Sequence, residues 1–510
     1  MSILKKDLKA AAAKLGLETS GTKAAIQGRI KTFGYDGVTD KGRRRKPGTR
    51  PKHEDAILTK SKRLKMLATT QDQLRNHALV AWMVRKHLDY VSRFKLQFKT
   101  GNDALDAAVN SLFRWHARPN NFDISGRLGR EEMFRLFELE KVAAGDAGLL
   151  KVDGNFLQAI ESDLIAKPKS GWSTDEQKDK VQKLKDSGII KDVNGRASEY
   201  CICNRGDRGT DLVFDQFADA GRMIFDAYWS RFASQDRGVS PLSTAINTIQ
   251  DLGEAFEYNL VKAKMHALFG MAILRKTDGE SEMGAASGAT GETAAATEAD
   301  DDSHLTLDPL SINILDMEPG DDVKTIESGT PSEEFVNGSY LFIQIAMLAL
   351  DIPITCFDSR RSSFSGRIAD LNEYEVSVDW KRTKSRYVRQ EYSDWLIDQF
   401  WDSETREIAK LAKAAGLSIE QVQERVEWIP AGAPWLDKFK QVKGDEKAIE
   451  LRLDNAIDAA RSRGGDVFKN IEKQIAVEVY ERDARAAAGL PQFNETEPGA
   501  TPKKGAKGKP

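Results

Sequence analysis

Apolar residues recur at helical spacing through much of this chain, and the interruptions mark its joints. Leu4, Leu8, Ala11, Leu15 and Leu17, then Ala25, Ile26, Ile30 and Phe33 beyond the TSGT turn, predict a two-helix unit over 1–35, with Ser20 or Thr22 as the second cap. The pattern lapses over 36–65. There, 41–65 carries eleven Lys and Arg against Glu54 and Asp55 and is broken by Pro47, Gly48 and Pro51, which predicts a basic linker or arm. Leu74, Ala78, Ala81, Trp82 and Leu88 predict a helix within a mixed region that extends to about 235. EYCICN at 199–204 predicts a strand, and VNGR at 193–196 a hairpin turn before it.

A long helical stretch follows over 240–274. Ser240 is placed to cap it and Pro241 to be its first residue, and Leu242, Ala245, Ile249, Leu252, Phe256, Leu260 and Val261 keep the period. The period ends in 278–302, which has eight acids, no base and little bulk; this composition predicts disorder. LTLDPLSINILDMEPGDDVKTI at 305–326 reads as short strands around a Pro-Gly turn. EEFVNGSYLFIQIAMLALD reads as a helix that stops before Pro353. DSRRSSFSGR at 358–367 is a polar loop by composition. A second long helix is expected over 369–402, with Leu371, Tyr374, Val378, Val388, Tyr392, Trp395 and Phe400 near one face and a basic middle of Lys381, Arg382, Lys384, Arg386 and Arg389. Helices are expected to fill most of 404–486, and the tail NETEPGATPKKGAKGKP to be disordered.

Composition narrows the class. At 510 residues, 40% hydrophobic and 30% charged, the chain has material for several domains and reads as globular. No run approaches the roughly 20 apolar residues of a membrane span, and MSILKKDLKAAAAKLG lacks the apolar core of a signal peptide. Cys201, Cys203 and Cys356 are too few for a disulfide scaffold, and the first two read as alternate strand positions, because a zinc site would need a second cluster. The net charge of −2 excludes a basic chromatin-type binder. There is no G-x-x-x-x-G-K-[ST] loop, no H-E-x-x-H and no G-x-S-x-G, and the six histidines are scattered. Nothing recommends an enzyme, a metal or a cofactor.

A series of segments, in consistent order, resembles the lambda-type portal family of tailed phages and prophages. QLRNHALVAWMVRKHLDYV (73–91), FRWHARPNNFDISGR (113–127), FLQAIESDLI (156–165) and GIIKDVNGRASEYCI (188–202) come first. The strongest is the Q-x-R-G-V-S turn of Gln235, Arg237, Gly238, Val239 and Ser240 with the long helix after it. Pro319, Gly320, Asp322 and Val323 follow, then Ile345, Ala346, Leu350, Ile352 and Pro353, and then Ser363, Ser365 and Arg367. Trp435, Asp437, Lys440, Gly465 and Asp466 complete the match, which covers about 66–485 without the acidic insert. Each motif alone is weak; their shared order is the signal. Asp351 and Arg452 stand where the family usually has Gly, and Lys438 where it has Pro, which puts local turn geometry in question.

The resemblance implies a helix-rich α+β portal fold with wing, stem, clip and crown, assembled as a ring, usually a dodecamer. On that pattern 66–239 is the N-terminal part of the wing, 240–270 a stem helix, and 271–325 the clip with its insert. A second stem helix would span 326–356, a tunnel loop 357–368, a long wing helix 369–402, and wing and crown helices 403–486, with 487–510 as tail. Arg360, Arg361, Ser363, Ser365 and Arg367 would face DNA in the tunnel through phosphate contacts, because a channel cannot prefer a sequence. Solvated charges or salt bridges between subunits are the alternative for these arginines. The implied partners are other copies of the chain, double-stranded DNA without sequence preference, the terminase large subunit, the major capsid or scaffold protein, and head-completion or connector proteins. The implied location is a capsid vertex of the virion, with assembly in the host cytoplasm.

Residues 1–35 separately resemble the SAP motif, a two-helix DNA-binding module, through Leu8, Leu15, Gly16, Leu17, Ser20, Gly21, Thr22, Lys23, Ile26, Arg29 and Ile30. Gly21, Thr22, Lys23 and Arg29 would then meet phosphate at a helix N-terminus. The alternative for this unit is a packing or assembly helix pair. The competing reading for the whole chain is a DNA-binding repair or recombination factor that uses this unit.

Overall fold

The structure is a computed structural model that describes residues 53–206, 211–229, 235–268, 271–275, 321–325, 332–432 and 438–489. The SAP-like unit, with Gly21, Thr22, Lys23 and Arg29, lies outside the described residues, as do the acidic insert and the tail. The chain divides into two units, one of residues 1–246 with 347–510 and one of residues 247–346.

In the first unit, α1 (Lys60–Asn76) and α2 (Ala78–Val91) meet at His77, which is extended. Helix α1 corrects the linker expectation for its last residues. Arg63, Met66, Leu67, Thr70 and Gln73 form one buried stripe. The Thr70 hydroxyl donates to Ala143 O at 2.8 Å and Arg63 to Ser162 O at 3.3 Å. The basic composition had hidden a helix whose cation points inward. Strand β1 (Phe94–Phe98) and α3 (Asp103–His116, capped by Asn102) lead to α4 (Arg130–Ala144), which ends at the left-handed Gly145.

Two three-stranded antiparallel sheets follow. Strands β2 (Asp146–Val152), β3 (Phe156–Ile160) and β7 (Met223–Ala227) run in the order β3-β2-β7. Helix α5 (Asp175–Lys183) precedes β4 (Ile189–Lys191), β5 (Ala197–Arg205) and β6 (Leu212–Asp219), ordered β4-β5-β6. The expected hairpin turn is present: Gly195 is left-handed, and Asp192 Oδ1 accepts from Asn194 N and Arg196 N. Cys201 and Cys203 are buried, free thiols on β5.

The second unit begins within α6 (Ile246–Leu268), preceded by a 3-10 turn at Pro241–Thr244. Strands β8 (Met271–Arg275) and β9 (Asp321–Thr325) pair antiparallel, Met271 with Thr325 through Arg275 with Asp321. The helical expectation over 240–274 therefore fails after Leu268. Gly270 has the lowest helix propensity after proline, and the segment beyond it has a strand partner 50 residues on. The unit ends in α7 (Glu333–Met347); Phe335 on it makes an edge contact with Phe256 of α6 at 5.6 Å.

The chain returns to the first unit through a 3-10 turn at Leu348–Leu350. It continues into α8 (Phe364–Phe400), α9 (Ile408–Ala414), α10 (Ile419–Glu424), β10 (Val426–Pro430), α11 (Lys438–Glu450), α12 (Ala456–Ser462) and α13 (Val467–Ala487). Strand β10 interrupts a region expected to be helical. It pairs with β1, Phe94 opposite Pro430 and Phe98 opposite Val426. The core gathers on α8: Tyr392 lies against Phe113, Phe122, Phe134 and His116. His116 Nδ1 is 2.9 Å from the Tyr392 hydroxyl and Nε2 is 2.7 Å from Asn155 O. Only the Nε2–H tautomer serves both partners, and burial, which pulls the ring down to about 4, keeps it neutral.

Candidate DNA-facing segment and the frame that carries it

The segment expected as a tunnel loop is shorter and more ordered than its composition suggests. Ser359–Arg361 is a 3-10 turn whose first free amide, Arg360 N, donates to Asp358 Oδ1 at 3.0 Å. Ser363 is the N-cap of α8, its hydroxyl accepting from Gly366 N at 3.1 Å. Helix α8 therefore starts at Phe364 rather than near 369, because the serine supplies the acceptor that a helix N-terminus lacks. Ser365 and Arg367 sit in its first turn, where a loop had been expected. A Cβ on Gly366 would lie 2.6 Å from Ser362 Oγ, so the serines close around this position.

Arg360, Ser363, Ser365 and Arg367 are exposed, and neither Arg360 nor Arg367 makes an ion pair with another described residue. Phe357 anchors the segment by an edge contact on Trp82 of α2, with centroids 5.7 Å apart. Cys356 lies just inside: burial pushes its thiol up, while Arg367 and Lys86 pull the other way. Arg367 and Lys86 thus both lie near Cys356 at the start of α8, and Arg360, Ser363 and Ser365 are exposed on the same short stretch of chain. The side chain of Arg361 lies outside the described set.

The basic middle of α8 does different work from that suggested by its charge. Arg389 is fully buried; it donates to Ser92 O at 2.7 Å and lies over the Phe94 and Phe134 rings at 4.3 and 4.6 Å. Arg382 donates to Tyr90 O at 2.8 Å and pairs with Glu375 at 2.6 Å, and Lys384 reaches Ala227 O at 3.3 Å. These cations fasten the helix to α2, β1 and β7.

Composition gave no sign of the deepest polar cluster, although it lies in the Q-x-R-G-V-S motif. Arg237 donates from Nε to Asp146 Oδ2 at 2.7 Å and from Nη2 to Asp146 Oδ1 at 2.5 Å. Its remaining donors meet Ser162 O at 2.7 Å, Ser187 O at 2.9 Å and Ile165 O. Burial alone would raise Asp146; the bidentate guanidinium outweighs it and holds the carboxyl below the usual range. Arg63, buried beside Arg237, is pulled down to about 9. A Cβ on Gly238 would stand 1.9 Å from Gly145 O, so the motif's glycine lets two backbones cross. Ser240 Oγ donates to Val142 O and accepts from Leu242 N, which sets the entry to α6.

In the second unit, α6 leaves Tyr258, Leu260 and Val261 more than half exposed. Helix α7 does the same with Leu341, and Ile345 is 45% exposed. Among the described residues no cluster suits a metal ion, and no helix is long and apolar enough to cross a membrane.

Comparison with known proteins adds the following. The model of the phage portal protein, lambda family, matches residues 41–347. Among solved structures, the neck of a native GTA particle computed with C12 symmetry superposes at a TM-score of 0.43, with 14% identity over 78% of this chain and 93% of that one. The virion of a native gene transfer agent particle superposes at 0.40, with 13% identity over 84% and 94%. No curated protein matches the chain.

Proposed function

The chain belongs to the lambda family of phage portal proteins, and from that premise we propose that it forms a ring, a dodecamer, at one vertex of a viral capsid. Double-stranded DNA passes through the ring during packaging and ejection. The subunit acts as a structural channel rather than as an enzyme, and it needs no cofactor. The terminase large subunit docks on it while DNA enters. Capsid or scaffold protein holds it in the shell, and head-completion and connector proteins replace the terminase afterwards. In this reading 240–270 and 326–356 supply the stem, 271–325 the clip, and the turn at Ser359–Arg361 with the first turn of α8 faces the tunnel. The other described elements form wing and crown. Assembly takes place in the host cytoplasm and the finished ring resides in the virion.

The observation that carries the ring is the pair of apolar faces on α6 and α7, which a lone subunit leaves in water. A ring gives each of them a heterologous neighbour. The SAP-like unit and the basic residues of 41–52 would add non-specific attraction to DNA. A repair factor with an unrelated body is not favoured, since the family match begins at residue 41 and runs through the second unit.

Native mass spectrometry with negative-stain imaging of the purified chain tests the proposal. Closed rings of about twelve subunits with a central channel are expected. Arg360, Arg361 and Arg367 changed together to Ala should keep the ring and impair packaging or retention of DNA. Unaltered packaging would remove the tunnel assignment, and a chain that stays monomeric alongside its capsid partners would remove the portal reading.

A further inference from the structure

The chain leaves α7 through a tight turn whose left-handed position favours glycine. Ile352 N donates to Met347 O and Asp351 N to Leu348 O, both at 3.2 Å. That pair of bonds closes a helix end by placing the penultimate residue in the left-handed region. The residue there is Asp351, at φ 58 and ψ 24. Three similar ends occur among the described residues. Gly416 and Gly464 occupy two of them and Arg452 the third.

What distinguishes Asp351 is its surroundings on α8. The Asp351 carboxylate accepts from Ser377 Oγ and from Lys381 Nζ, both at 2.7 Å through Oδ2. The same ammonium donates to Leu350 O at 3.1 Å, so it also caps a carbonyl that the ended helix leaves without an intrahelical donor. Lys381 is mostly buried, with 15% of its side chain exposed, although Asp351 is half exposed. Met347 and Ile352 are buried on either side of the turn. Beyond it lie Pro353 and the 3-10 turns that lead to Arg360.

We propose that Asp351, Ser377 and Lys381 form a latch: α8 holds a non-glycine residue in the left-handed conformation and so fixes where the returning helix stops and the Arg360-bearing segment begins. Released from α8, the turn gains by reverting toward the right-handed region, because aspartate, although it tolerates the left-handed region better than most residues, still favours the right-handed one. That reversion would carry helical winding past 351 and redirect the chain into 352–361. The two cations on which the segment depends therefore differ in role: Arg389 fastens α8 to its own core, whereas Lys381 fastens the incoming chain to α8. These three residues are positioning residues. The latch is a property of the fold and does not depend on the portal reading; only its effect on DNA does.

Native-state hydrogen exchange on the full chain tests it through the amides of 351 and 352, which close the turn. Lys381→Met keeps the length and apolar stem of the side chain but removes the ammonium; it should accelerate exchange at 351 and 352 about tenfold, with the 388–397 core unaffected. Asp351→Gly removes the strain together with the latch. In that background Lys381→Met should change exchange at 352 by less than about twofold, because glycine needs no restraint. Lys381→Met without effect in the natural sequence would overturn the proposal. An equal acceleration in the Asp351→Gly background would also overturn it, since it would show that Lys381 acts through its bond to Leu350 O and not by holding Asp351. Should Lys381→Met fail to fold, Ser377→Ala, which removes one hydroxyl, takes its place in the same pair of measurements. None of these readouts involves DNA or a ring, so failure of the latch is distinguishable from failure of the portal reading.

Discussion

The first unit is built around buried charges, whereas α6 and α7 of the second are distinguished by apolar side chains left in solvent; the first unit has exposed apolar residues as well, Trp380, Tyr387 and Tyr480 among them, but on the outside of that frame. In the first, Arg237, Lys141 and Arg389 are buried, and each has local partners: Asp146 and three carbonyls; Glu138 and Asp226; Ser92 O and two aromatic rings. In the second, Tyr258, Leu260, Val261 and Leu341 stand in solvent when the chain is taken singly. Buried charges bonded within the unit, one of them bidentate, make a frame, while apolar faces without cover gain from a neighbour. A ring subunit requires both properties, because a frame that waited for its neighbours would have nothing rigid to offer them.

The comparison is broken most severely at Arg237. Arg237→Met removes the guanidinium and leaves Asp146 buried with its charge uncompensated, at a cost of about 3–5 kcal/mol. Denaturant unfolding of the isolated subunit should show that loss. A loss below about 1 kcal/mol would mean that the surrounding Ser162 and Gly238 donors suffice for Asp146 and that the motif arginine is not what holds the frame.

The opposite change belongs to the second unit. Leu260→Asp combined with Leu341→Asp should abolish rings in native mass spectrometry while shifting the unfolding free energy by less than about 0.5 kcal/mol, as expected for exposed positions. If stability fell together with assembly, these side chains would be packing within the subunit and the contrast between the units would dissolve.

How far the sequence foretold these regions depends on the range of the interactions involved. Helical period found α2, most of α8 and the start of α6, since the stripe Val80, Met83, Val84, His87, Leu88 and Val91 is a local pattern. It could not find β10, whose partner β1 lies more than 300 residues upstream. Nor did it find the start of α1 or the break at His77: the cations of 60–65 read as linker, and the period from Leu74 ran on into α2 as one helix. Ser363 was legible as part of a motif but not as a cap, since a serine's role depends on where the next helix begins. Arg237 was marked by the family motif alone; its six hydrogen bonds reach four residues in three separate segments and leave no periodic trace. The best local clue came from departures: Asp351 and Arg452, read as residues in glycine positions, both lie in the left-handed region.

Those two residues give the finest test of how the frame restrains itself. Arg452 ends α11 as Asp351 ends the turn after α7, with Leu453 N on Ala448 O at 2.9 Å and Arg452 N on Ile449 O at 3.1 Å. Its φ is 58. Unlike Asp351, Arg452 is exposed and has no side-chain bond to another described element. Left-handed strain in a residue with a side chain costs about 1–2 kcal/mol, and glycine removes it. Glycine also loosens the unfolded chain, which takes back about 0.4–1 kcal/mol. The balance predicts that Arg452→Gly stabilises the subunit by about 0.5 kcal/mol, readable as a small rise in the denaturation midpoint at unchanged slope. Asp351→Gly gains less relief, because aspartate tolerates the left-handed region better than arginine, and it gives up the bonds to Lys381 and Ser377, so it should fall short of Arg452→Gly and end near zero or below. If instead Asp351→Gly stabilised as much as Arg452→Gly, the bonds to α8 would contribute nothing, and the difference between a held turn and an unheld one would lie only in their geometry.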